Sequence, residues 1–581
     1  MTKENKGKSD MQALWHSTSH VMADAVKKLW PDVELAIGPA IEDGFYYDFD
    51  KKESFKPEDL ARIENEMKKI IGQNLEFKHT LVERKEAEKT LKGEPYKLEM
   101  LKELKDKKIS FYQHGNFIDM CAGPHIKKTG EIGAFKLLKI AGAYWRGDSS
   151  KKMLQRIYGI SFHSKEELDN YLKKLEEMEK RDHIVLGKQL ELFSTSPEVG
   201  AGLVIWHPKG AAVRVAIEDF WRKEHQKRGY QYVYSPHIGN LGLWKKSGHW
   251  QFYRESMYSP MKIDEIEYEL KPMNCPFHIQ IYKSKMVSYK DLPIKFCELG
   301  TVYRYELAGT LHGLTRVRGF TQDDSHIFCT PEQVEEEVGK VFDFAMFMLK
   351  TFGFKEFKVD LSVRDPNNKS KYLGDDNSWK IAETALENVL KKKKQEYKRA
   401  EGEAVFYGPK IDIKLLDALG REWQGPTIQV DFNFPEKFDI NYIGADNKEH
   451  KVFMIHRTVL GSMERFMGIL IEHYAGAFPT WLAPVQVKLL TLTDDNIKYA
   501  KKVEEKLIES GVRVETDYNS TTIQLKVRNA QMEKVPYMLV IGAKEEAAGT
   551  VAIRTRDGKV KYGTKTEDFI KDICKEIQDK K

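Results

Sequence analysis

The sequence of 581 residues is poor in the features that define membrane, secreted and low-complexity proteins. No apolar run approaches the roughly 18–20 residues that a membrane-spanning helix requires, and the polar residues 1–10 lack the apolar core of a secretory signal. Glycine (40) and proline (20) are too few for a collagen-like or low-complexity chain. We therefore expect a cytoplasmic protein with no membrane partner, and the length predicts about three to five domains.

The chain also has few cysteines and a small net charge. The five cysteines are scattered and form no CxxC pair, which indicates a reducing compartment and no disulfide framework. The 94 Lys and Arg residues nearly balance the 88 Asp and Glu residues, so the net charge is only +6. A charge of this size permits nucleic-acid binding but does not indicate it.

A glycine-rich phosphate loop is missing as well, since the sequence has neither GxxxxGK[ST] nor a GxGxxG that opens a helix. If the protein uses ATP, side chains must hold the phosphates. Arg304, Arg316 and Arg318 lie close together in a predicted strand–loop–strand, and arginine has the planar fork that grips phosphate oxygens. The alternative is a solvated hairpin on which the arginines are ordinary surface charges. The apolar and aromatic neighbours of Arg304 and Arg318 disfavour that alternative.

The remaining patterns divide the chain into segments. Apolar residues at helical spacing predict a helix from Met11 to Trp30, and a charged helix follows near residues 57–72. Residues 164–188 are rich in Lys and Glu in helical register, which predicts a solvated connecting helix. Residues 190–483 mix short strands with helices. Beyond Pro484, four strand-like segments with helical patterns between the early ones predict a small α/β domain with a largely parallel sheet.

Three parts of the central region resemble the signature motifs of class II aminoacyl-tRNA synthetases. Residues 296–306 together with 316–324 resemble the second motif, and residues 460–472 resemble the third, a helix with one essential arginine. Residues 210–238 resemble the first, which builds a dimer interface. Shorter stretches are similar to the threonyl-tRNA synthetase family in particular: MetAsnCysPro (273–276), ArgGlyPheThrGlnAspAspSerHis (318–326) and MetIleHisArg (454–457). The resemblance runs from about residue 11 to residue 575.

This resemblance implies an α+β fold with three functional parts: a class II catalytic core built on an antiparallel sheet, an N-terminal α+β editing domain and a C-terminal α/β anticodon-binding domain. Many members of the family begin with a further small domain, and we expect this chain to be the form without it. The expected divisions are a disordered N-terminus (1–10), the editing domain (11–165), a connecting helix (166–188), the catalytic domain (189–483) and the anticodon-binding domain (484–581).

The resemblance further implies that a homodimer activates L-threonine with ATP and Mg²⁺ to threonyl-adenylate and transfers it to tRNA(Thr). Arg304 would hold the α-phosphate, Arg316 the distal phosphates, and Glu306 the adenine amino group. Phe320 and Arg465 would sandwich the adenine ring, although Arg465 taken alone is an ordinary helix-surface arginine. The implied catalytic residues are Arg304 and Arg465. The implied ATP-binding residues are Arg304, Glu306, Arg316, Phe320, Gln424 and Arg465.

Cys275, His326 and His456 match the positions at which the family holds one catalytic Zn²⁺ per chain. No spacing rule connects these three residues, and a lone Cys or His is more often a satisfied core residue. One thiolate and two imidazoles suit zinc and leave a position open for substrate. Such an ion would detect the hydroxyl group that separates threonine from valine, which a hydrophobic pocket discriminates poorly. The implied threonine-binding residues are Met273, Gln322, Asp324, Tyr407, Lys410, Gln429 and Ser462.

Serine carries the same amino and hydroxyl groups as threonine, so a second, hydrolytic site is expected. The histidines of HisSerThrSerHis (16–20) and the Cys and His of AspMetCysAlaGlyProHis (119–125) suggest two alternatives. They form a four-ligand zinc site, or they are two surface histidines with a buried cysteine. The resemblance instead implies metal-free hydrolysis of mischarged seryl-tRNA(Thr). The implied editing residues are His16, His20, Lys97, Asp119, Cys121 and His125.

The C-terminal segment carries three residues at positions where the family reads anticodon bases, Arg528, Glu545 and Arg554, with ordinary surface charges as the alternative. Two other functions are alternatives to aminoacylation. A tRNA-binding regulator that does not aminoacylate is disfavoured because Arg304, Arg465 and the zinc ligands are all present. A free-standing deacylase is disfavoured because it would not need an intact catalytic core.

Overall fold

The computed structural model describes residues 3–148, 150–417 and 420–581. The chain forms two compact units that divide between Glu177 and Met178, and each unit has its own apolar core. Within the described ranges, no helix combines the length and apolar character needed to cross a bilayer.

The first unit combines helices with two antiparallel sheets. Its helices are α1 (Lys3–Leu29), α2 (Pro57–Gly72), α3 (Arg84–Thr90) and α4 (Pro95–Glu103). Its strands are β1 (Glu34–Leu35), β2 (Ala40–Ile41), β3 (Gly44–Asp50), β4 (Lys78–Glu83), β5 (Lys108–His114), β6 (Phe117–Met120), β7 (Ala134–Tyr144) and β8 (Met153–Phe162). One sheet has the order β1-β3-β8-β7 with β2 beside β3, and the other has the order β4-β5-β6. Apolar residues of α1 and α2 pack on the larger sheet in a shared core.

The first helix is longer than the sequence pattern predicts. Leu14, Val21 and Ala25 are fully buried, as the helical spacing of apolar residues requires. The helix already begins at Lys3, so the disorder predicted for residues 1–10 is not what the structure shows. Lys and Glu in this polar stretch are good helix formers, and they extend the amphipathic segment that follows. Residues 1 and 2 lie outside the described residues.

The predicted connecting helix over 166–188 is two helices, α5 (Lys165–Arg181) and α6 (His183–Gln189). Asp182 separates them, because its carboxylate accepts the backbone N–H groups of Ile184 at 2.7 Å and Val185 at 3.1 Å and so caps α6. The prediction of one continuous helix was wrong here because the charged periodic pattern hid an aspartate that starts a new helix.

The second unit contains most of the secondary structure. Its remaining helices before residue 484 are α7 (Pro208–Lys227), α8 (Leu241–Ser247), α9 (His249–Phe252), α10 (Cys275–Lys283), α11 (Val334–Thr351), α12 (Asp376–Lys392), α13 (Asn433–Phe438) and α14 (Met463–His473). Its strands in this range are β9 (Phe193–Ser194), β10 (Ile205–Trp206), β11 (Gln231–Tyr232), β12 (Ile238–Asn240), β13 (Met261–Ile263), β14 (Ile266–Leu270), β15 (Ile294–Tyr303), β16 (Gly319–Cys329), β17 (Phe357–Val363), β18 (Lys398–Glu401), β19 (Lys410–Leu416), β20 (Glu422–Asp431), β21 (Asn441–Ile443), β22 (Glu449–Lys451) and β23 (Phe453–Thr458).

An eight-stranded sheet with the order β11-β15-β16-β23-β20-β19-β17-β18 organises this region. Its five inner pairs are antiparallel, and only the outermost pairs, β11 with β15 and β17 with β18, are parallel. The predicted antiparallel catalytic sheet is therefore confirmed. Apolar residues of α7, α11, α12 and α14 cover one face of the sheet in a single large core. The opposite face carries polar side chains and packs against a smaller core around α10 and α13.

Beyond residue 484 the chain forms a five-stranded sheet in the order β25-β24-β26-β27-β28. The strands are β24 (Val487–Thr491), β25 (Val514–Asp517), β26 (Tyr537–Ile541), β27 (Thr550–Thr555) and β28 (Val560–Lys565), and the helices are α15 (Ile497–Glu509), α16 (Ile523–Met532), α17 (Ala543–Ala548) and α18 (Thr566–Gln578). The four predicted strands are present, but the sheet is mixed rather than largely parallel. Strand β24 is parallel to β25 and β26, whereas the β26–β27 and β27–β28 pairs are antiparallel. Strand β28 is not predicted by the sequence pattern, because this edge strand is almost entirely exposed and carries little hydrophobic signal.

Candidate active site

Strand register brings the candidate metal ligands together. His326 on β16 lies directly opposite His456 on β23, which lies opposite Gln429 on β20. Side chains of paired residues share one face of a sheet, and alternate residues along a strand do so too. Gln322 and Asp324 therefore project from the same face of β16 as His326, away from the large helix-covered core.

A cavity of about 340 Å³ lies on this face. Fourteen of the residues implied by the sequence resemblance line it: Met273, Cys275, Arg304, Phe320, Gln322, Asp324, His326, Tyr407, Lys410, Gln424, Gln429, His456, Ser462 and Arg465. They come from six strands or helices and the loops between them, so the fold collects residues that are nearly 200 positions apart in sequence.

Two predicted ATP-binding residues, Glu306 and Arg316, do not line this cavity. They pair with each other instead, and Arg316 Nε donates to Glu306 Oε2 at 2.9 Å. Arg316 is more than half exposed, with 54% of its side chain accessible. Arg465 lies close by, and its Nε donates to the backbone carbonyl of Thr315 at 3.1 Å. Arg304, Arg316 and Arg465 thus lie near one end of the cavity, with Arg316 outside its lining.

Three donor atoms of different side chains form the candidate metal centre. Cys275 Sγ and one ring nitrogen each of His326 and His456 lie within 4.8 Å of one another. His326 Nε2 and His456 Nδ1 are only 3.0 Å apart, and the second nitrogen of His456 lies 2.9 Å from Asp431 Oδ2. A metal-bound histidine characteristically has its other ring nitrogen hydrogen-bonded in this way.

Burial sets the protonation of this cluster. Burial lowers the pKa of His326, so its ring is neutral and has a lone pair to offer. Burial also raises the pKa of the Cys275 thiol, with the negative charges of Asp324 and Asp431 acting in the same direction. A cation at this point would favour the thiolate, because metal binding releases the proton of a ligating cysteine. Two imidazoles, one sulfur and an adjoining cavity therefore fit a zinc ion with one open coordination position.

The first unit contains a second cluster, in which α1 meets the loop after β6. Cys121 Sγ lies 3.1 Å from His16 Nε2 and 3.2 Å from His125 Nε2. His125 Nδ1 lies 2.9 Å from Ser17 Oγ. His20 completes a group of four possible metal ligands whose donor atoms lie within 4.8 Å of one another. The alternative of two surface histidines with a buried cysteine was wrong, because His20 is buried while His16 and Cys121 are only half-buried.

Lys97 and Asp119 lie beside this cluster and are both buried. Lys97 Nζ is 2.7 Å from Asp119 Oδ1, and the hydroxyl of Tyr47 donates to Asp119 Oδ2 at 2.7 Å. Burial raises the pKa of the Cys121 thiol to about 11, against the opposing effect of the Gly123 N–H, and burial lowers the pKa of His16. Burial thus favours the neutral thiol of Cys121 and the neutral ring of His16, and all six predicted editing residues belong to one polar site.

In the C-terminal region, Arg528, Glu545 and Arg554 line one pocket of about 410 Å³. Tyr562 on β28 lines the same pocket, and 74% of it is exposed. The pocket thus offers two cations, one carboxylate and one exposed aromatic ring, which are the groups that recognise the edges and faces of unpaired bases.

Comparison with known proteins assigns the chain. Three family models match it: the tRNA synthetase class II core domain (G, H, P, S and T) over residues 258–474, an anticodon binding domain over 483–576, and the threonyl and alanyl tRNA synthetase second additional domain over 109–158. A threonine–tRNA ligase of Dehalococcoides mccartyi (strain CBDB1) is 55% identical over 96% of this chain and 95% of its own length. The chain belongs to the threonine–tRNA ligase family.

Two further comparisons agree with this assignment. A threonine–tRNA ligase of Sulfurihydrogenibium sp. (strain YO3AOP1) is 49% identical over 99% of this chain and 90% of its own length. The crystal structure of the RNA binding domain of threonyl-tRNA synthetase from Cryptosporidium parvum Iowa II matches with a TM-score of 0.65 and 40% identity, over 68% of this chain and 98% of that one. As a member of the threonine–tRNA ligase family, this class II aminoacyl-tRNA synthetase combines aminoacylation with editing.

The structure also identifies residues of this ligase that the sequence analysis missed because they act through others. Asn274 Nδ2 donates to Asp324 Oδ2 at 3.0 Å, and Gly300 opposite leaves the space for it, since a Cβ there would lie 2.5 Å from Asn274 Nδ2. Asp412 accepts from Lys410 Nζ and, at 3.0 Å, from Gln424 Nε2. Asp412 could have been predicted from the sequence, because it lies two residues from Lys410 on β19 and therefore on the same face of the strand.

Asp323 was also missed, and it points to the helix-covered face. Its carboxylate accepts three backbone N–H groups, those of Val459 and Leu460 at 2.8 and 2.9 Å and that of Gly461 at 2.8 Å. Trp221 Nε1 on α7 lies 3.3 Å from the same carboxylate. Asp323 therefore fixes the turn that leads into α14 and joins it to α7.

Proposed function

We propose that the 340 Å³ cavity is the site at which this ligase activates L-threonine, with Cys275, His326 and His456 holding one zinc ion. The observation that carries the proposal is the convergence of these three donors beside Asp324 and Gln322. When bound, the ion supplies a Lewis-acid position to which the amino and hydroxyl groups of threonine can coordinate. Valine lacks the hydroxyl group, so this chemistry separates two side chains of nearly equal size.

The side chains around this position orient the amino acid. Asp324 is buried with one oxygen held by Asn274, so its second oxygen is available as acceptor for the threonine hydroxyl. Burial raises the pKa of Asp324, and the Asn274 hydrogen bond opposes that rise. Met273, Gln322, Tyr407, Lys410, Gln429 and Ser462 enclose the rest of the substrate.

ATP, with Mg²⁺, would occupy the arginine-rich end of the cavity. Arg304 lies with its guanidinium 5.1 Å from the centre of the Phe320 ring. Burial lowers the pKa of Arg465, and the nearby charges of Arg304 and Arg316 lower it further. Three cations that repel one another in this way form a region in which triphosphate charge is stabilised. Arg304 is proposed to meet the α-phosphate as the threonine carboxylate attacks, and Arg316 to leave Glu306 for the distal phosphates.

The first unit is proposed to hydrolyse seryl-tRNA(Thr) without a metal ion. Serine differs from threonine by one methyl group, a difference worth only about 1–3 kcal/mol in a binding pocket. The half-buried His16 and Cys121 are accessible enough to hold a water molecule against an ester carbonyl. The buried Lys97–Asp119 pair, with Tyr47, fixes the polar wall behind them.

The partners proposed for this chain are tRNA(Thr), ATP, L-threonine and a second copy of itself, in the cytoplasm. Arg528, Glu545 and Arg554 are proposed to read the anticodon in their shared pocket. For the homodimer, residues 210–238 offer apolar surface at Tyr232 and Tyr234, which are 41% and 87% exposed. Exposed aromatic residues of this kind are enriched in interfaces.

Threonine-dependent exchange of pyrophosphate into ATP tests the central part of the proposal. We expect exchange with threonine, little exchange with valine and measurable exchange with serine. Seryl-tRNA(Thr) should nevertheless not accumulate when tRNA is present. Removing zinc from the protein should abolish exchange, and restoring zinc should recover it. Exchange that is unchanged in zinc-free protein would contradict the metal role.

A further inference from the structure

His326 is held by a second histidine on the side that faces away from Cys275 and His456. His326 Nδ1 lies 2.7 Å from His278 Nδ1, and both rings are buried. A hydrogen bond between two ring nitrogens requires that one carries the proton and the other a lone pair. The direction of this bond decides whether His326 presents a lone pair or a proton at Nε2, the atom that faces His456.

Glu298 determines that direction. Its Oε1 lies 3.4 Å from His278 Nε2, and that nitrogen has no hydrogen-bond partner among the described residues. A carboxylate at this position favours a proton on His278 Nε2. If this is the only proton on the His278 ring, its lone pair lies at Nδ1, and His326 then donates from Nδ1 and keeps its own lone pair at Nε2.

Glu298 is fixed in turn by Ser235, which belongs to the segment resembling the first class II motif. Ser235 donates to Glu298 twice, from Oγ to Oε1 at 2.6 Å and from the backbone nitrogen to Oε2 at 2.9 Å. Lys271 Nζ donates to Ser235 Oγ at 2.7 Å and lies 3.6 Å from Glu298 Oε1. The two hydrogen bonds from Ser235 and the nearby Lys271 Nζ stabilise the carboxylate form of Glu298.

We infer that Glu298 is a positioning residue of the metal centre, which acts through His278 to fix the ring of His326 with its Nε2 lone pair toward the ion. This inference rests on the proposed zinc site. His456 supplies a comparison within the same centre, because its Nε2 meets the Asp431 carboxylate directly at 2.9 Å while His326 reaches its carboxylate through one more ring. Loss of such supporting groups weakens metal binding typically about 10–100-fold.

The test measures zinc affinity itself. The full chain carrying Glu298→Ala is loaded with Zn²⁺, and the ion is withdrawn by a competing chelator of known affinity. We expect Glu298→Ala to bind Zn²⁺ about 10–100-fold more weakly than the unchanged protein. Glu298→Gln should lose less, because its amide oxygen can still accept the His278 proton. Substitution of Co²⁺ adds a spectroscopic signature, since a reoriented His326 shifts the visible absorption bands of the bound ion.

Activity provides a further readout. Pyrophosphate exchange by Glu298→Ala should recover as the zinc concentration is raised, because the substitution leaves every substrate-contacting residue in place. A variant that merely misfolds would not recover.

Glu337→Gln is the matched control, since Glu337 is a buried glutamate of the same unit that pairs with Lys295 at 2.5 Å, away from the metal centre. Its zinc affinity should equal that of the unchanged protein. If Glu298→Ala does not fold, Ser235→Ala removes one anchor of the carboxylate and should weaken zinc binding by a smaller factor. Equal affinity in all variants overturns this inference alone. Absence of zinc binding by the unchanged protein overturns the proposed metal site and this inference together.

Discussion

His326 and His456 lie directly opposite each other on neighbouring antiparallel strands, with His326 Nε2 only 3.0 Å from His456 Nδ1. Neither nitrogen needs to donate to the other, because each ring has its second nitrogen engaged elsewhere, with His278 and Asp431 respectively. One nitrogen of each ring lies within 4.8 Å of Cys275 Sγ, and this arrangement gives the most direct prediction.

Cys275→Ala removes the sulfur ligand while leaving the fold in place. We expect zinc content to fall from one per chain toward zero and threonine-dependent exchange to fall by about 100-fold or more, since three protein ligands are the minimum of a catalytic zinc site. Metal analysis of the purified protein together with exchange assays measures both effects. Cys329→Ala is the control, because Cys329 is equally buried but lies in the helix-covered core. A Cys275→Ala protein with full zinc content would contradict the assignment.

Arg316→Ala should raise the KM for ATP by about 10–100-fold and leave the KM for threonine nearly unchanged. A charge-assisted bond to phosphate contributes roughly 1.5–3 kcal/mol, whereas the exposed Arg316–Glu306 pair contributes little to stability. Steady-state exchange kinetics at varied ATP concentration measure the first effect, and thermal unfolding measures the second. Lys358→Ala removes another exposed ion pair of the same unit, the one with Glu422, and should change neither quantity. A large loss of stability in Arg316→Ala would mean that its role is structural.

The double variant His16→Ala with Cys121→Ala should lose hydrolysis of seryl-tRNA(Thr) and retain threonylation at nearly full rate. Both side chains belong to the first unit, whereas the activating cavity is formed by residues of the second. Deacylation of purified seryl-tRNA(Thr) measures the loss, and His79→Ala, an exposed histidine of the same unit, is the control. A second equivalent of zinc in the unchanged protein that disappears with Cys121→Ala would contradict metal-free hydrolysis.

Arg554→Ala should raise the KM for tRNA(Thr) by about 5–150-fold, which corresponds to the ~1–3 kcal/mol of a base-specific arginine contact. Pyrophosphate exchange does not need tRNA, so it should be unaffected. Aminoacylation kinetics with varied tRNA concentration distinguish the two. Lys571→Ala, an exposed cation of the same region on α18, tests whether a general loss of positive charge has the same effect. Equal effects of the two substitutions would exclude base reading by Arg554.

Glu269 provides a prediction about pH. Its carboxylate is fully buried without a hydrogen-bond partner, and burial raises its pKa to about 7, against the opposing charge of Arg254. Between about pH 4.5 and pH 7 the folded state therefore binds more protons than the unfolded state, so this group lowers stability as the pH rises through that window. Glu269→Gln removes the titration. We expect its melting temperature, relative to the unchanged protein, to rise progressively from pH 4.5 to pH 7.5. A difference that stays constant over this range would contradict the prediction.

Much of the catalytic region was predictable because its motifs are local. The strand–loop–strand around Arg304 and Arg316 and the helix that carries Arg465 are each contained in a short stretch of sequence, and the structure has β15, β16 and α14 at those places. The alternation of Gln322, Asp324 and His326 on one strand even indicates that these three share a face.

The remainder depends on contacts between distant segments, which periodicity cannot supply. The pairing of His326 with His456 depends on the order of the strands in the sheet, which the sequence pattern does not give. The cluster of these two residues with Cys275 was found only through family resemblance. His278 and Glu298 had no local signal at all, because their roles arise only when β15, β16 and α10 are packed together. The break between α5 and α6 at Asp182 was not predicted for the opposite reason. A local signal, the capping aspartate, was present, but the strong charged helical pattern before it concealed it.

Asp323 has a consequence for how the ligase would behave as an assembly. Its carboxylate joins Trp221 of α7 directly to the turn at 459–461, through hydrogen bonds of 2.8 to 3.3 Å and with no other side chain in between. A second subunit that pressed on α7 would transmit that displacement through a few short hydrogen bonds to the start of α14, and hence to the Arg465 guanidinium. If the chain forms the proposed dimer through residues 210–238, concentration of the protein would therefore become a variable of its ATP chemistry.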